Sequence, residues 1–458
     1  MLQLEPIAAL ATAPGIGAIA VLRVSGEGAI EITNQIFRGK DLTKQTSHTA
    51  HFGTLRNPDG SIIDEVVATV FRAPKSFTKE DVVEISCHGS EFIIQQILRR
   101  LTAEGARLAR PGEFTQRAFL NGQFDLVQAE AVADLIASDS DASHRAALTQ
   151  LRGGFSKQLK TLRQQLIDFV ALVELELDFG EEDVEFAHRA QLRQLMLDIR
   201  RVLHPLIDSF STGNAIKNGI PTVIVGKPNA GKSTLLNALL NEEKAIVSDI
   251  PGTTRDVIED ELFIDGLRFR LIDTAGLRQA TDQIEAIGIE RTQQKMRDAA
   301  LVIYLFDGKN ILPAELEAAI HEVQESGKPY LLVGNKLDAI DATRRQLLEA
   351  VAQEKIVWIS AAQQAHLDEL KTALSSRVRT DTAVQTGSAV VTNARHYEHL
   401  TATDEALARA ISGLDSGVTP DWLAMDLRVA LQHLGELTGE ITTDDLLDSI
   451  FSKFCIGK

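Results

Sequence analysis

Three observations predict a multidomain α/β chain. Its parts are an N-terminal α+β domain, an α-helical domain in two separated pieces, and an α/β domain inserted between those pieces. Residues 226–233 read GKPNAGKS, set between the apolar β-branched run TVIV (222–225) and the helix-forming STLLNALL (233–240). Residues 1–120 mix strand and helix signals, whereas 121–217 and 381–458 read as helix on both sides of the inserted part, 218–380. At 458 residues, the length itself suggests about three domains.

In chain order, AIAVLRV (18–24), residues 62–71 after the Asn57-Pro58-Asp59-Gly60 turn, and DVVEIS (81–86) predict strands, and a helix follows over about 90–104. Phe155, Leu159, Leu162, Leu166, Phe169 and Val173 recur at alternating steps of four and three, the apolar stripe of a long packed helix. The acidic run ELELDFGEEDVE (174–185) reads as a solvated helix end and loop. Residues 257–272 predict a hairpin turning at Asp265-Gly266, the pair that two-residue type I′ turns require. YLLVG (330–334) and IVWIS (356–360) are buried-type strands, and WLAMDLRVALQHLGELTG (422–439) is a helix.

The run GKPNAGKS fits Gly-x-x-x-x-Gly-Lys-Ser, a phosphate loop whose backbone N–H groups wrap a polyphosphate at a helix N-terminus. Lys232 is placed to reach β- and γ-phosphates, and the Ser233 hydroxyl to ligate Mg²⁺. Residues 335–338 read NKLD. Guanine offers N1–H and an exocyclic NH₂ as adjacent donors, and the Asp338 carboxylate accepts both as a fork. Asn335 is expected on the far edge of the base, Lys336 along its face, and Ser360-Ala361 on a further loop over it. Adenine would leave the carboxylate against an acceptor, at a cost of about 1–3 kcal/mol or more. Nucleotide identity is thus read as GTP.

Between these motifs, Asp273-Thr274-Ala275-Gly276 ends the strand LRFRLI (267–272). Asp273 can hold the metal through water, and the Gly276 N–H can meet a γ-phosphate. Thr254, in the loop Gly252-Thr253-Thr254-Arg255-Asp256, is the expected second Mg²⁺ hydroxyl. Ras-like P-loop GTPase domains place a glutamine after that glycine to orient the attacking water; here Leu277 stands instead and cannot do so. Hydrolysis therefore needs other help: a cation near Asn229, and a carboxylate among Asp282, Glu285 and Glu290, which spacing alone does not separate.

Composition narrows the class. Apolar content of 44% is ordinary for a globular protein. No apolar run approaches the roughly 20 residues needed to span a bilayer, and MLQLEPIAAL lacks a signal peptide's basic flank, so a cytoplasmic, non-membrane setting is expected. Cys87 and Cys455 form no CxxC pair, which argues against a disulfide framework or zinc ribbon; Cys87 reads as strand core, and Cys455 as either reactive or buried. A net charge of −17 argues against nucleic-acid binding through overall positive charge.

The ordered set GKPNAGKS, AIVSDIPGTTRDV, LIDTAGLR, NKLD and terminal CIGK resembles the MnmE (TrmE) family of tRNA-modification GTPases. SFTKEDVVEISCHG (76–89), RPGEFTQRAFLNG (110–122), LVQAEAVADLI (126–136) and ITTDDLLDSIFSKFCIGK (441–458) extend the resemblance along the whole chain. It implies a folate-binding domain that forms a homodimer, a discontinuous helical domain and an inserted GTPase domain. It also implies a flavin- and NADH-using partner, MnmG, in a heterotetramer. The pair installs aminomethyl or carboxymethylaminomethyl groups at C5 of the wobble uridine of certain tRNAs. The one-carbon unit comes from a tetrahydrofolate derivative (5-formyl- or 5,10-methylene-tetrahydrofolate).

By the same resemblance, hydrolysis is activated by K⁺ and by approach of two GTPase domains. Asn229, Ser248, Ile250 and Thr253 would hold the K⁺, and Glu285 would orient or activate the water. The nucleotide would contact Asn229, Ala230, Gly231, Lys232, Ser233 and Thr234, the switch residues Ser248, Asp249, Ile250, Pro251, Gly252, Thr253 and Thr254, and Asp273, Thr274, Ala275 and Gly276. Ser248 stands where the family usually has Thr, which a backbone carbonyl ligand tolerates. Arg23, Glu84, Gln123 and Lys458 match folate positions: a guanidinium suits the glutamyl carboxylates and a carboxylate the pterin's donor edge. Gln123 departs from a position that is often basic in the family. The competing classes are a regulatory or ribosome-assembly GTPase switch and a dynamin-like scaffold. Residues 381–458 hold twelve acids against five bases and no GXXG loop, and no basic amphipathic helix is evident.

Overall fold

The computed structural model describes residues 5–178, 189–243, 260–272, 294, 296–297, 299–378 and 390–457. The chain forms two compact units, one comprising 1–137, 147–203 and 399–458, the other 138–146 and 204–398.

The first unit begins with a seven-stranded sheet. Its strands are β1 (Ile7–Leu10), β2 (Gly17–Ser25), β3 (Phe37–Arg38), β4 (Thr49–Arg56), β5 (Ile62–Phe71), β6 (Val82–Gly89) and β7 (Arg107–Leu108), in the order β3-β4-β5-β6-β2-β1-β7. Side chains alternate across a strand, so β2 sends Leu22 and Val24 into one core and Arg23 to the other face. That core is closed by helices α1 (Ala29–Ile36) and α2 (Glu91–Ala103) through Ile30, Ile36, Ile94, Ile97 and Leu101. Opposite it, Ile7 and Ala9 pack with Phe114 and Phe77. The antiparallel register pairs Arg23 with Glu84 across β2 and β6. Cys87 lies in the strand core, 4% exposed, and burial pushes its thiol up to about 11; Cys455 is exposed.

The helical part runs through α3 (Glu113–Leu120), α4 (Leu126–Ala137), α5 (Asp141–Leu151), α6 (Ser156–Asp178) and α7 (Arg189–Asp208). On α6 the predicted stripe is buried at Leu159, Leu166 and Val173, while Leu162 and Phe169 are half-buried and Val170 takes an inner place. The acidic run lies outside the described residues beyond 178.

The second unit centres on a six-stranded sheet of β8 (Ile220–Val225), β9 (Asp260–Ile264), β10 (Leu267–Leu271), β11 (Leu301–Asp307), β12 (Tyr330–Asn335) and β13 (Ile356–Trp358), ordered β13-β12-β11-β8-β10-β9. All neighbours are parallel except β9 with β10, whose turn carries Asp265 and Gly266 at φ of 51° and 77°, as the Asp-Gly pair predicts. The inner strands are apolar on both faces because helices cover both. These are α8 (Phe210–Asn218), α9 (Lys232–Glu243), α10 (Pro313–Glu325), α11 (Ala342–Ala352) and α12 (Leu367–Val378). Ser209 Oγ accepts from Val391 N at 3.1 Å, which ties the entering and leaving chain segments together within this unit.

The chain returns to the first unit through α13 (Ala394–Asp415), α14 (Pro420–Thr438), which packs along α6, and α15 (Asp444–Phe451). Leu447 and Phe451 of α15 pack on Leu126 and Ala129 of α4. No helix among the described residues is long and apolar enough to cross a membrane.

Candidate functional site

Parallel sheets place their ligand-binding loops at the carboxyl ends of the strands, and the predicted nucleotide motifs fall there. The phosphate loop leaves β8 at Gly226, and α9 begins at Lys232, so the N-terminal N–H groups of that helix open onto the loop. Two of its glycines are sterically required. A Cβ on Gly226 would overlap the Leu305 carbonyl of β11, and one on Gly231, at φ 98°, would overlap the Asn335 amide. Asn229 adopts φ 63°, the left-handed region that asparagine tolerates better than most other non-glycine residues. The Lys232 ammonium donates to the Gly226 and Lys227 carbonyls at 2.7 and 2.9 Å. Burial holds its pKa below the ordinary lysine value. Ser233 and Thr234 follow on the first turn of α9.

The base-side loop is tied directly to the phosphate loop. Asn335, 3% exposed at the end of β12, donates from Nδ2 to the Ala230 carbonyl at 2.8 Å. Its Oδ1 accepts from Lys336 N at 2.8 Å and Ala361 N at 3.0 Å. Both Oδ1 lone pairs are thus engaged by the protein, and one Nδ2 hydrogen remains for a base edge. Asn335 is therefore a clamp among three loops as well as a candidate base contact. Lys336 sits at φ 64° with its ammonium on Asp307 Oδ2 at 2.7 Å, which stretches the aliphatic stem across the site. Burial alone would push the Asp307 carboxyl up. Hydrogen bonds from Lys336, Asn310 and the Lys309 backbone outweigh it, and the pKa is lowered overall. Asp338 is exposed and accepts from Ser360 Oγ at 2.5 Å. That fixes one carboxylate oxygen and leaves the other facing outward.

Asp307 and Trp358 escaped the motif reading. Asp307 ends β11 in register with Asn335, and its only sequence signal is a lone acid closing an apolar strand. The Trp358 ring lies against Gly334 and Gly308, where any Cβ would press into it, and it is held by Nε1–H to Glu349 at 2.8 Å. Ser248, Asp249, Ile250, Pro251, Gly252, Thr253, Thr254, Asp273, Thr274, Ala275, Gly276 and Leu277 lie outside the described residues, as do Asp282, Glu285, Glu290 and Lys458.

A second set gathers in the first unit, on the sheet face opposite α1 and α2. Arg23 donates from Nε and Nη2 to Glu84 Oε1 at 3.0 and 2.7 Å. Its guanidinium lies 5.4 Å from the Phe77 ring centroid and 5.6 Å from that of Phe114. Arg23 Nη1 is buried without a hydrogen-bond partner among the described residues, an orphaned donor that calls for an acceptor. The same Phe77 lines a cleft of about 510 Å³ with His48, Phe71, Lys75, Ser76 and Gln123. Phe77 thus joins Arg23 to the cleft that holds Gln123. The same unit holds an ion network whose Glu80, Glu113 and Arg117 lie in the segments 76–89 and 110–122. Arg107 pairs with Glu113 at 2.5 Å, Arg117 with Glu113 and Glu80 at 3.3 Å each, and Ser25 donates to Glu80 at 2.7 Å. The terminal segment reaches the end of β1, since a Cβ on Gly457 would overlap the Leu10 carbonyl.

Two family models match the chain: the MnmE helical domain over residues 126–455, and the GTP-binding protein TrmE N-terminus over 6–123. A tRNA modification GTPase MnmE from Cytophaga hutchinsonii is 58% identical, over 99% of this chain and 98% of that protein. One from Flavobacterium johnsoniae is 50% identical over 100% of both chains. Among solved structures, the FeoB G domain from Methanococcus jannaschii is 28% identical, covering 35% of this chain and 98% of that one, at a TM-score of 0.25. Matched by family models over most of its length and by relatives from end to end, the chain belongs to the family of the tRNA modification GTPase MnmE.

Proposed function

We propose that this chain hydrolyses GTP as part of a tRNA-modifying enzyme. With an MnmG-type partner that uses flavin and NADH, it would install aminomethyl or carboxymethylaminomethyl groups at C5 of the wobble uridine. The observation that carries the GTP assignment is the Asn335–Ala230 hydrogen bond, which locks the phosphate loop and the base-side loop into one site. Guanine selectivity falls to Asp338, whose carboxylate Ser360 orients. Ser233 and Thr254 would hold Mg²⁺, which neutralises phosphate charge when bound. A hydroxyl on the first turn of α9, beside a loop built for close backbone approach, suits that ion.

Leu277 cannot orient a water, so the reading assigns that task to Glu285. It assigns stabilisation of the developing phosphate charge to K⁺, held by Asn229, Ser248, Ile250 and Thr253 as two such domains approach. In the first unit, the buried Arg23 Nη1, without a hydrogen-bond partner among the described residues and on a guanidinium that lies against two phenyl rings beside a cleft, supports binding of a flat polar ligand with a carboxylate. A tetrahydrofolate derivative fits that description and would supply the one-carbon unit when bound. Glu84 holds the guanidinium in place, and Gln123 offers the cleft an amide in place of a cation. The homodimer through the N-terminal domain, and its assembly with MnmG and tRNA, rest on the family relationship.

The deciding experiment is nucleoside analysis of tRNA from cells lacking this protein. Loss of the C5 substituent from wobble uridines is expected, with restoration by the wild-type gene. An unchanged nucleoside profile would reject the reading.

A further inference from the structure

The chain carries a cluster of ligating side chains that the nucleotide, folate and tRNA readings leave unused. His399 on α13, and His433 and Glu436 on α14, bring one donor atom each to a common point within the first unit. His399 Nδ1 lies 3.3 Å from His433 Nδ1. Glu436 Oε2 lies 3.4 Å from His399 Nδ1 and 3.6 Å from His433 Nδ1.

These three edges can be set against the geometry of a bound ion. As hydrogen bonds or ion pairs these contacts are long, since the N–H···O optimum is about 2.9–3.0 Å. Donors around a tetrahedral ion stand about 1.63 bond lengths apart, or roughly 3.3–3.4 Å for zinc bonds of about 2.0–2.1 Å. Donors on one face of an octahedron stand about 1.41 bond lengths apart, or roughly 3.0 Å for bonds of about 2.1 Å. Two observed edges, 3.3 and 3.4 Å, have the tetrahedral size, and the third, 3.6 Å, is longer still, further from the octahedral value. Donor chemistry agrees, because two imidazoles and one carboxylate are a borderline set that suits zinc and not magnesium or calcium. The side chains are 17%, 30% and 24% exposed for His399, His433 and Glu436. They are thus sheltered enough to be held in place, with solvent near for a fourth, water ligand.

We propose that His399, His433 and Glu436 form a tetrahedral site for a Zn²⁺-class cation, completed by water, that staples the start of α13 to α14. The spacing His433-x-x-Glu436 puts two ligands on one face of α14. The third comes from the residue at which the chain re-enters the first unit, whose last segment begins at His399. Three ion pairs already bind α13 further along: Arg409 with Asp426 of α14 at 2.9 Å, and Arg200 and Arg193 of α7 with Asp404 at 2.7 Å and Asp415 at 2.8 Å. The cation would fix the end of α13 that those pairs do not reach.

The test uses full-length protein saturated with GDP and excess Mg²⁺, titrated with Co²⁺ as a spectroscopic stand-in for Zn²⁺. One equivalent is expected to bind with the intense visible absorption of a tetrahedral nitrogen–oxygen site and no sulfur-to-metal band. Stoichiometric Zn²⁺ should displace it and raise the unfolding temperature. His399→Asn and His433→Asn should each weaken binding by more than the roughly 10–100-fold lost when only a ligand's hydrogen-bonding partner is removed, while GTP hydrolysis without added Zn²⁺ stays unchanged. Should a variant fail to fold, X-ray absorption of the wild-type zinc complex decides, with two imidazoles in the coordination shell as the expected result. Absence of a tetrahedral spectrum in the wild type, its persistence in both variants, or a thiolate band abolished by Cys455→Ser would each overturn the proposal.

Discussion

Asp338→Asn tests the guanine assignment more sharply than a loss-of-function change, because the neighbouring hydroxyl sets the direction of the effect. Ser360 is 2% exposed and donates to Asp338 Oδ1 at 2.5 Å. In the variant, the amide oxygen keeps that hydrogen bond and the NH₂ takes the outward position. Guanine then brings two donors to a group with one donor and one shared acceptor. One charge-assisted bond is lost outright, worth about 1.5–3 kcal/mol, and the other is weakened by loss of charge. A total near 3 kcal/mol corresponds to roughly 100-fold weaker GDP binding at 1.4 kcal/mol per decade. Xanthine replaces the exocyclic amine by a carbonyl, which accepts from the new NH₂, so XDP should gain where GDP loses. Calorimetric titration of both nucleotides into wild type and variant reads the ratio directly. Adding Ser360→Ala frees the amide to rotate and should return part of the GDP affinity. A selectivity ratio unmoved by Asp338→Asn would refute the assignment, and a ratio insensitive to Ser360 would refute the orienting role of its hydroxyl.

Replacing K⁺ by Na⁺ should slow GTP hydrolysis sharply with little change in nucleotide affinity; equal rates in the two salts would remove the monovalent cation from the mechanism. Glu285→Ala should lower kcat and leave nucleotide binding intact, and a change confined to KM would make its role structural. Glu113→Gln should alter the acid limb of stability. Burial pushes this carboxyl up, but hydrogen bonds from Arg107 and the Arg110 backbone, with the charges of Arg107 and Arg117, leave its pKa below 4.5. A folded pKa depressed in this way stabilises the protein above the unfolded value and stops doing so as pH falls through the folded one. The variant should therefore lose about 3–5 kcal/mol near neutral pH, the cost of breaking a buried pair. The gap should close in acid; parallel denaturation profiles from neutral to acid pH would count against the network.

The fold was legible where a local rule had one structural answer. The apolar run before GKPNAGKS became β8, the Asp265-Gly266 pair became the turn between β9 and β10, and the periodic stripe became α6. Strands β3 and β7 were not legible, because two-residue edge strands are defined by pairing across the sheet rather than by periodicity; β1 and β4, which lie inside the sheet, were missed as well. The inner strand β11 (LVIYLFD) was missed too: a short run apolar on both faces is ambiguous between buried strand and buried helix.

The candidate site divides along the same line. Motifs name residues whose side chains a ligand would meet, since a ligand's chemistry restricts residue type at fixed spacing; hence Lys232 and Asp338. They are silent about the contacts that hold those residues in place, because a clamp can be built from any suitable donor at any distance along the chain. Asp307 meets Lys336 across 29 positions and Asn335 meets Ala230 across 105. Arg23 and Glu84, 61 apart, read in sequence as two charged strand residues; only the register of β2 on β6 makes them a pair, and only Phe77 and Phe114 make the guanidinium a platform. The His399–His433–Glu436 triangle follows the same logic: α14 supplies a spacing that many helices have, and α13 supplies the third atom that turns spacing into a site. What a sequence leaves unsaid about function is therefore concentrated in contacts between elements, and each such contact is a substitution that should change the behaviour of a motif it does not belong to.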